Sequence, residues 1–409
     1  MELTKTQKKQ RLCMMLVGGF AIFFTGYPHV WSVYQPYVMQ QAGWSQKQAS
    51  LCFYLAMAFF VFGNIIGGRM QNKSSPKQVL LLGGGIFTAG VLLSAFLLVP
   101  SPLPIYLTYG VLQGIGQGMV YTVILATAQK WFPKRTGFAS GVVVTANGLC
   151  GFFLAPISRS LLEAGGPRLA FLVIGIGIAV SWISCSIFFF VPPTAWYRQT
   201  EPVQTQKSGS AVAAQKQYTA FEMMHTKRFY LLLATMLFGL LSYFMISPIS
   251  QTYQLALGIP SSIAVSAVTL GSIANASTRL VLPALSDRVG RIGCVKGVLL
   301  VCLFAMALLC VSRSYVVTGA IVLIYGCYGG IMGSFPSFTG SIFGIEHAGE
   351  NYGYVMFGIV IATIGAPMIT GAVMDSGYGM PIVFALGTAF AAIAFLNLLL
   401  LQRELKKIK

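Results

Sequence analysis

Among the 409 residues of this chain, Arg279 has the position best suited to chemistry. It lies eight residues before Asp287, about 12 Å along a helix that rises 1.5 Å per residue, inside an apolar run spanning 261–285. A guanidinium at that depth in a hydrocarbon core costs ~3 kcal/mol or more and marks a functional site by default. None of the nine acidic residues falls in the middle of an apolar run, so a pairing acid at the same depth is not in evidence. A buried Arg in that setting suits an anionic ligand, because its planar fork matches a carboxylate bidentately. No second Lys or Arg lies deep in an apolar run, which points to a monoanion.

Other polar groups lie at similar depth. Asn275 is one turn before Arg279 on the same face, where it orients the guanidinium, donates to a ligand or serves a helix contact. His29 is the only histidine inside an apolar run and reads either as a group titrating near neutrality or as a hydrogen-bonded packing residue. Tyr121, Tyr325 and Tyr328 are away from the ends of their runs and offer phenolic donors with apolar walls, suited to a small organic acid. Gln113 and Gln117 share a face that meets water or a neighbouring helix. This is binding chemistry. No nucleophile–base pair, paired carboxylates or metal-ligand spacing stands out, so an enzyme is not expected, nor any cofactor or metal. Gly114, Gly116 and Gly118 match a loose nucleotide-loop pattern but lack the preceding strand and the Lys-Ser/Thr that such a loop needs.

The elements that must position these residues follow from composition. Hydrophobic residues make up 56% of the chain and charged residues 9%, against about 25% charged in soluble domains. Apolar stretches long enough to cross a ~30 Å hydrocarbon core recur from end to end. Twelve spans are predicted, near 11–37, 46–68, 78–99, 103–129, 137–162, 168–191, 229–255, 261–285, 293–312, 316–343, 352–374 and 380–401. The fold class is therefore an all-α membrane protein of twelve transmembrane helices. The first span is too long, and lacks the small-residue cleavage site, to be a signal peptide. A polar connection at 193–227 separates a six-helix bundle at 1–192 from a second at 228–409. Weak internal symmetry supports the division. Each half carries a charged loop between its second and third spans and a glycine-rich fourth span, GVLQGIGQG at 110–118 and YGCYGGIMG at 325–333. Two related bundles with a midplane site between them are a transporter plan. The dense glycines equally permit close packing or sliding of helices.

The net charge of +18 would suggest nucleic acid in a soluble protein, but here it follows topology. With the N-terminus inside, 22 of the 27 Lys and Arg fall on inner segments and four on outer ones, Arg279 being the remainder. Both termini are expected in the cytoplasm, with the chain in the cell membrane (plasma or inner). The eight cysteines read as small apolar packing residues.

Four segments carry a family resemblance. SDRVGR at 286–291 resembles the cytoplasmic loop signature of the major facilitator superfamily, in which charge pairs pin helix ends. Asp287, Arg288 and Arg291 are its gating-loop residues. In the first half, GGRMQNKSSPK at 67–77 keeps the basic residues but has Asn72 where the acid is usual. KWFPKRTGFASG at 130–141, FPSFTGSIFG at 335–344 and NYGYVMFG at 351–358 resemble the oxalate/formate antiporter family, within the wider monocarboxylate transporter group.

The resemblance implies two pseudo-symmetric six-helix bundles, and it implies that Arg279 binds substrate, assisted by Tyr121 and Tyr328. His29 stands where that family has an aromatic residue. Oxalate transporters of the family carry a lysine eight residues after the Asn of the NYG motif, and here that position is Ile359. A dicarboxylate needs two cations in a dry site, so a small monocarboxylate is expected: lactate, pyruvate, formate or a similar acid. In proton-coupled relatives an Asp sits one turn before the arginine, where this chain has Asn275, so a co-transported proton would use His29 or the substrate itself. Transport by proton symport or anion exchange is expected, by a monomer whose partners are the carboxylate and the lipid bilayer. The rival readings are oxalate:formate exchange and a transporter-like carboxylate sensor signalling through 193–227.

Overall fold

The computed structural model describes residues 3–194, 196 and 216–407, which form helices and no strand. Most of the 193–227 connection lies outside the described residues. The chain divides into two compact units, Met1–Ala220 with Gly340–Tyr354, and Phe221–Thr339 with Val355–Lys409. The sequence division assigned all of 228–409 to one bundle, whereas the short segment 340–354 groups with the first unit.

In the first unit, α1 (Lys5–Phe24), a 3-10 turn (Tyr27–Val30) and α2 (Trp31–Ala42) make the first crossing. They are followed by α3 (Gln46–Met70), α4 (Pro76–Ser94), a π-helical turn (Tyr106–Leu112) leading into α5 (Gln113–Trp131), and α6 (Thr136–Ile187). Thr4, Ser45 and Ser75 start α1, α3 and α4 with reciprocal side-chain bonds to Gln7, Gln48 and Gln78. Each such box satisfies two helix-end donors that the bilayer interface would otherwise leave to water. The predicted first span is broken at Tyr27–Val30, where Pro28 supplies no N–H and Gly26 lies so near α6 that a Cβ would come within 2.3 Å of the Asn147 carbonyl. The predicted fifth and sixth spans form one helical run, turned at Gly165 and Gly166. Gly166 has φ +68°, which glycine adopts without strain, so a two-residue hinge replaces a polar loop.

In the second unit, α7 (Lys227–Ile246), a 3-10 turn (Ser247–Ile249) and α8 (Ser250–Ala256) repeat the broken first crossing, again with a proline in the turn. Then come α9 (Ser261–Val289), α10 (Arg291–Val311), α11 (Val316–Phe343), the short α12 (Ala348–Val355), α13 (Phe357–Asp375) and α14 (Met380–Lys406). Among the described residues, ten helical runs are long and apolar enough to cross a membrane. With α6 crossing twice and the 29-residue α9 long enough to span, the described residues contain the twelve crossings read from sequence.

Candidate functional site

The second unit assembles a cationic, aromatic site on α7, α9 and α11. The two longer helices touch through glycines. A Cβ on Gly329 would lie 2.1 Å from the Asn275 carbonyl oxygen, and one on Gly333 would lie 2.7 Å from that of Arg279. These two glycines, four residues apart, let α11 run against the backbone of α9 at the two residues that matter. Thr278 fastens the contact by donating its hydroxyl to the Gly326 carbonyl at 2.7 Å. At these positions the glycines serve close packing.

Arg279 is 2% exposed. Its Nε donates to Asn275 Oδ1 at 2.9 Å, one turn back on α9. Its Cζ lies 5.3 Å from the centre of the Tyr328 ring, a cation–π distance. Tyr243 of α7 stacks on Tyr328 at 3.9 Å with planes 14° apart, and Phe244 meets Tyr328 edge-on at 5.8 Å. Tyr325 closes the group, edge-on to Tyr243 at 5.1 Å, with its hydroxyl 3.2 Å from Ser247 Oγ. The guanidinium is thus oriented by a neutral amide and faced by aromatic rings. Sequence reading found Arg279, Asn275 and Tyr328 but missed Tyr243, which sits in the apolar string LLSYFMI without any local mark.

Tyr121 and His29 belong to the first unit. Tyr121 is buried in α5, edge-on to Phe60 at 5.2 Å. His29 lies in the 3-10 turn between α1 and α2, exposed, with its ring 6.2 Å from that of Phe53. Its place in a helix break distinguishes it from a residue on a continuous helix face. Gln113 donates to Gln117 at 2.8 Å and Gln117 donates to the Thr25 carbonyl, so this pair ties α5 to the end of α1. Asn147 of α6 donates to the Thr25 hydroxyl at 3.1 Å, joining a third helix to the same point.

The two charged loops differ. Between α9 and α10, Arg291 Nη2 lies 3.2 Å from Asp287 Oδ1, across a turn made at Gly290 with φ +93°. Arg288 is exposed and makes no ion pair among the described residues. After α3, Asn72 Nδ2 donates to Glu350 Oε2 at 2.9 Å and Arg69 Nε lies 3.8 Å from Glu350 Oε1. Ile359, at the position where oxalate transporters carry lysine, is buried in α13.

Comparison with known proteins fits this architecture. The family model described as Major Facilitator Superfamily matches residues 14–367. An uncharacterized MFS-type transporter of Escherichia coli strain K12, YhjX, is 26% identical over 366 residues, covering 88% of each chain. The oxalate:formate antiporter of Oxalobacter formigenes is 25% identical over 376 residues, covering 91% of this chain and 86% of its own. The fold is shared with the E. coli transporter FucP in its outward conformation, with a TM-score of 0.70 at 15% identity over 95% of this chain and 98% of that one. With twelve crossings in two units and a family match over most of its length, this chain is a multi-pass membrane transporter of the major facilitator superfamily.

Proposed function

We propose that this transporter carries small monocarboxylates such as lactate, pyruvate or formate, by alternating access of its two six-helix halves. Arg279 is the carboxylate anchor. Tyr328 and Tyr121 hydrogen-bond the substrate, Asn275 holds the guanidinium in register, and His29 shapes the pocket and is the candidate proton carrier. The distribution of Lys and Arg supports a cytoplasmic location for both termini. Flux is driven by proton symport or by exchange of anions.

The observation that carries this reading is a 2%-exposed arginine in the middle of a membrane helix, with its Nε on a neutral amide and its Cζ 5.3 Å from the centre of the Tyr328 ring. Desolvating that charge is costly, and an anionic substrate offsets the cost each time it binds. Buried Ile359 argues for one negative charge on the substrate, because a second carboxylate would find a sec-butyl group instead of an ammonium.

The test is uptake of radiolabelled L-lactate into proteoliposomes of the pure protein, with and without an inward proton gradient. Arg279→Gln is expected to lower uptake at least about 10-fold, since a charge-assisted hydrogen bond contributes ~1.5–3 kcal/mol. Normal transport by Arg279→Gln removes the site assignment. The likeness to an oxalate:formate antiporter supports a second reading, oxalate:formate exchange. Strong competition of uptake by oxalate would select it.

A further inference from the structure

We propose that a groove on the second unit, between α9, α10 and α11, binds one acyl chain of an anionic phospholipid, with its headgroup phosphate on Arg288. The cavity has a volume of about 440 Å³ and is walled by Thr278, Leu282, Leu285, Val289, Gly297 and Cys327 among others. Its few polar side-chain atoms are already used within the protein. Thr278 donates to the Gly326 carbonyl at 2.7 Å, and the Cys327 thiol donates to the Val298 carbonyl at 3.4 Å. A water needs two to four polar partners, and these walls offer little beyond the acceptor oxygen of Thr278, so hydrocarbon is the filling that suits the groove.

Its length and charge select the occupant. Along α9 the lining runs from Ala274 to Val289, about 22 Å at 1.5 Å per residue, enough for a chain that descends one ~15 Å leaflet. Val289 is 61% exposed at the end of this stripe, beside the turn between α9 and α10. Arg288 is one turn from Leu285 and adjoins Val289, the last lining residues of α9, so the groove ends on the stretch of helix that carries this exposed cation. The neighbouring Arg291 is neutralised by Asp287 at 3.2 Å, whereas Arg288 has no carboxylate partner among the described residues. A groove that accepts only hydrocarbon and ends at an uncompensated cation complements a molecule with an apolar tail and an anionic head. A second copy of the chain would need an apolar ridge that ends in an acid. Such ridges lead to Glu404 (Ile393, Leu396, Leu400) and to Asp375 (Ile361, Ile364, Met368), but Lys407 pairs with Glu404 at 2.6 Å, and Asp375 ends the eleventh crossing, on the side opposite the α9–α10 turn.

The experiment is native mass spectrometry of the delipidated full chain, titrated with phosphatidylglycerol or with phosphatidylcholine of the same acyl chains. Phosphatidylglycerol is expected to bind about 5-fold more tightly, from the ~1 kcal/mol that one surface Arg contributes toward an anionic lipid. Arg288→Gln should abolish that preference and leave phosphatidylcholine binding unchanged. Gly297→Leu fills the groove. A Cβ there meets nothing within 4 Å, so the helix accepts the change, and both lipids should lose about 10-fold or more in retention. Gly293→Leu, equally open, is the second filling variant and should act alike. Equal binding of the two lipids by the parent chain would overturn the headgroup assignment. Undiminished lipid retention by both filling variants would overturn the groove, as would a dimeric mass that these variants abolish.

Discussion

The loop after the second crossing and the loop after the eighth hold corresponding places in the two halves, yet they satisfy their charges by opposite routes. Asp287 and Arg291 pair across four residues at the α9–α10 corner. In the first half Asn72 replaces the acid, and the carboxylate it meets is Glu350, 278 residues further along the chain. The backbone is committed to the same contact. A Cβ on Gly68 would stand 2.3 Å from the Glu350 nitrogen, and the Thr122 hydroxyl donates to the Gly349 carbonyl at 3.2 Å. Moving an acid from a loop to a distant segment converts a local charge pair into a tether. The Asp287–Arg291 pair joins two residues of one corner, whereas the contacts at Gly349 and Glu350 fasten segment 340–354 to α3 and α5.

The largest effect should come from Gly68→Val, which sets a branched side chain against the Glu350 backbone. Overpacking of this kind costs ~1–3 kcal/mol, and this site belongs at the top of that range. Thermal melting of the detergent-purified chain should fall furthest for this variant. Next is Asp287→Asn, which removes the carboxylate 3.2 Å from Arg291. The two side chains are 20% and 10% exposed, so the cost is about 1–2 kcal/mol after discounting for partial solvation. Combined with Gly68→Val it should be additive in melting temperature, because each change acts on a contact within its own unit, and strong coupling would break the contrast drawn above.

Asn72→Asp places two carboxylates in contact, destabilising by about 1 kcal/mol in a salt-sensitive way. Adding Glu350→Gln to that variant exchanges the acid and the amide and should restore the melting temperature. If the exchanged pair melts no higher than Asn72→Asp alone, the side-chain tether is not what joins these segments. The smallest effect is expected from Arg69→Gln. With Arg69 67% exposed and 3.8 Å from Glu350, the pair contributes no more than about 0.5 kcal/mol, and high salt should erase the difference in melting.

The same contrast explains what the sequence made legible. Hydropathy marks most crossings because hydrocarbon solvates a whole helix at once, and Arg279 stands out because a charge in that solvent is costly. The interruptions left weaker traces. The 3-10 turn at Tyr27–Val30 is apolar enough to be absorbed into one span, and the π-helical turn at Tyr106–Leu112 differs from an α-helix by a single hydrogen-bond register. The Gly165–Gly166 hinge reads as a short connection, although the helix runs on either side of it. Tyr243 and Glu350 were missed for a common reason. Each acquires its role from a partner far away in sequence, Tyr328 and Asn72, and periodicity within a segment says nothing about such partners. The GVLQGIGQG and YGCYGGIMG glycines were visible as a class. Their purpose emerges at particular contacts, such as Gly329 on Asn275 and Gly118 on the Phe60 carbonyl.

The excursion of residues 340–354 into the first unit also bears on the order in which the protein is made. The first unit's main portion ends at Ala220, but its last piece begins at Gly340. At roughly 5–20 residues per second, translation reaches that piece about 6–24 s after Ala220. During that interval the loop after α3 and the Thr122 face of α5 wait without their partner, available to lipid or to a chaperone. An amino-terminal half expressed alone would keep that surface bare, and a split protein reassembled from two fragments would depend on the second fragment to finish the first.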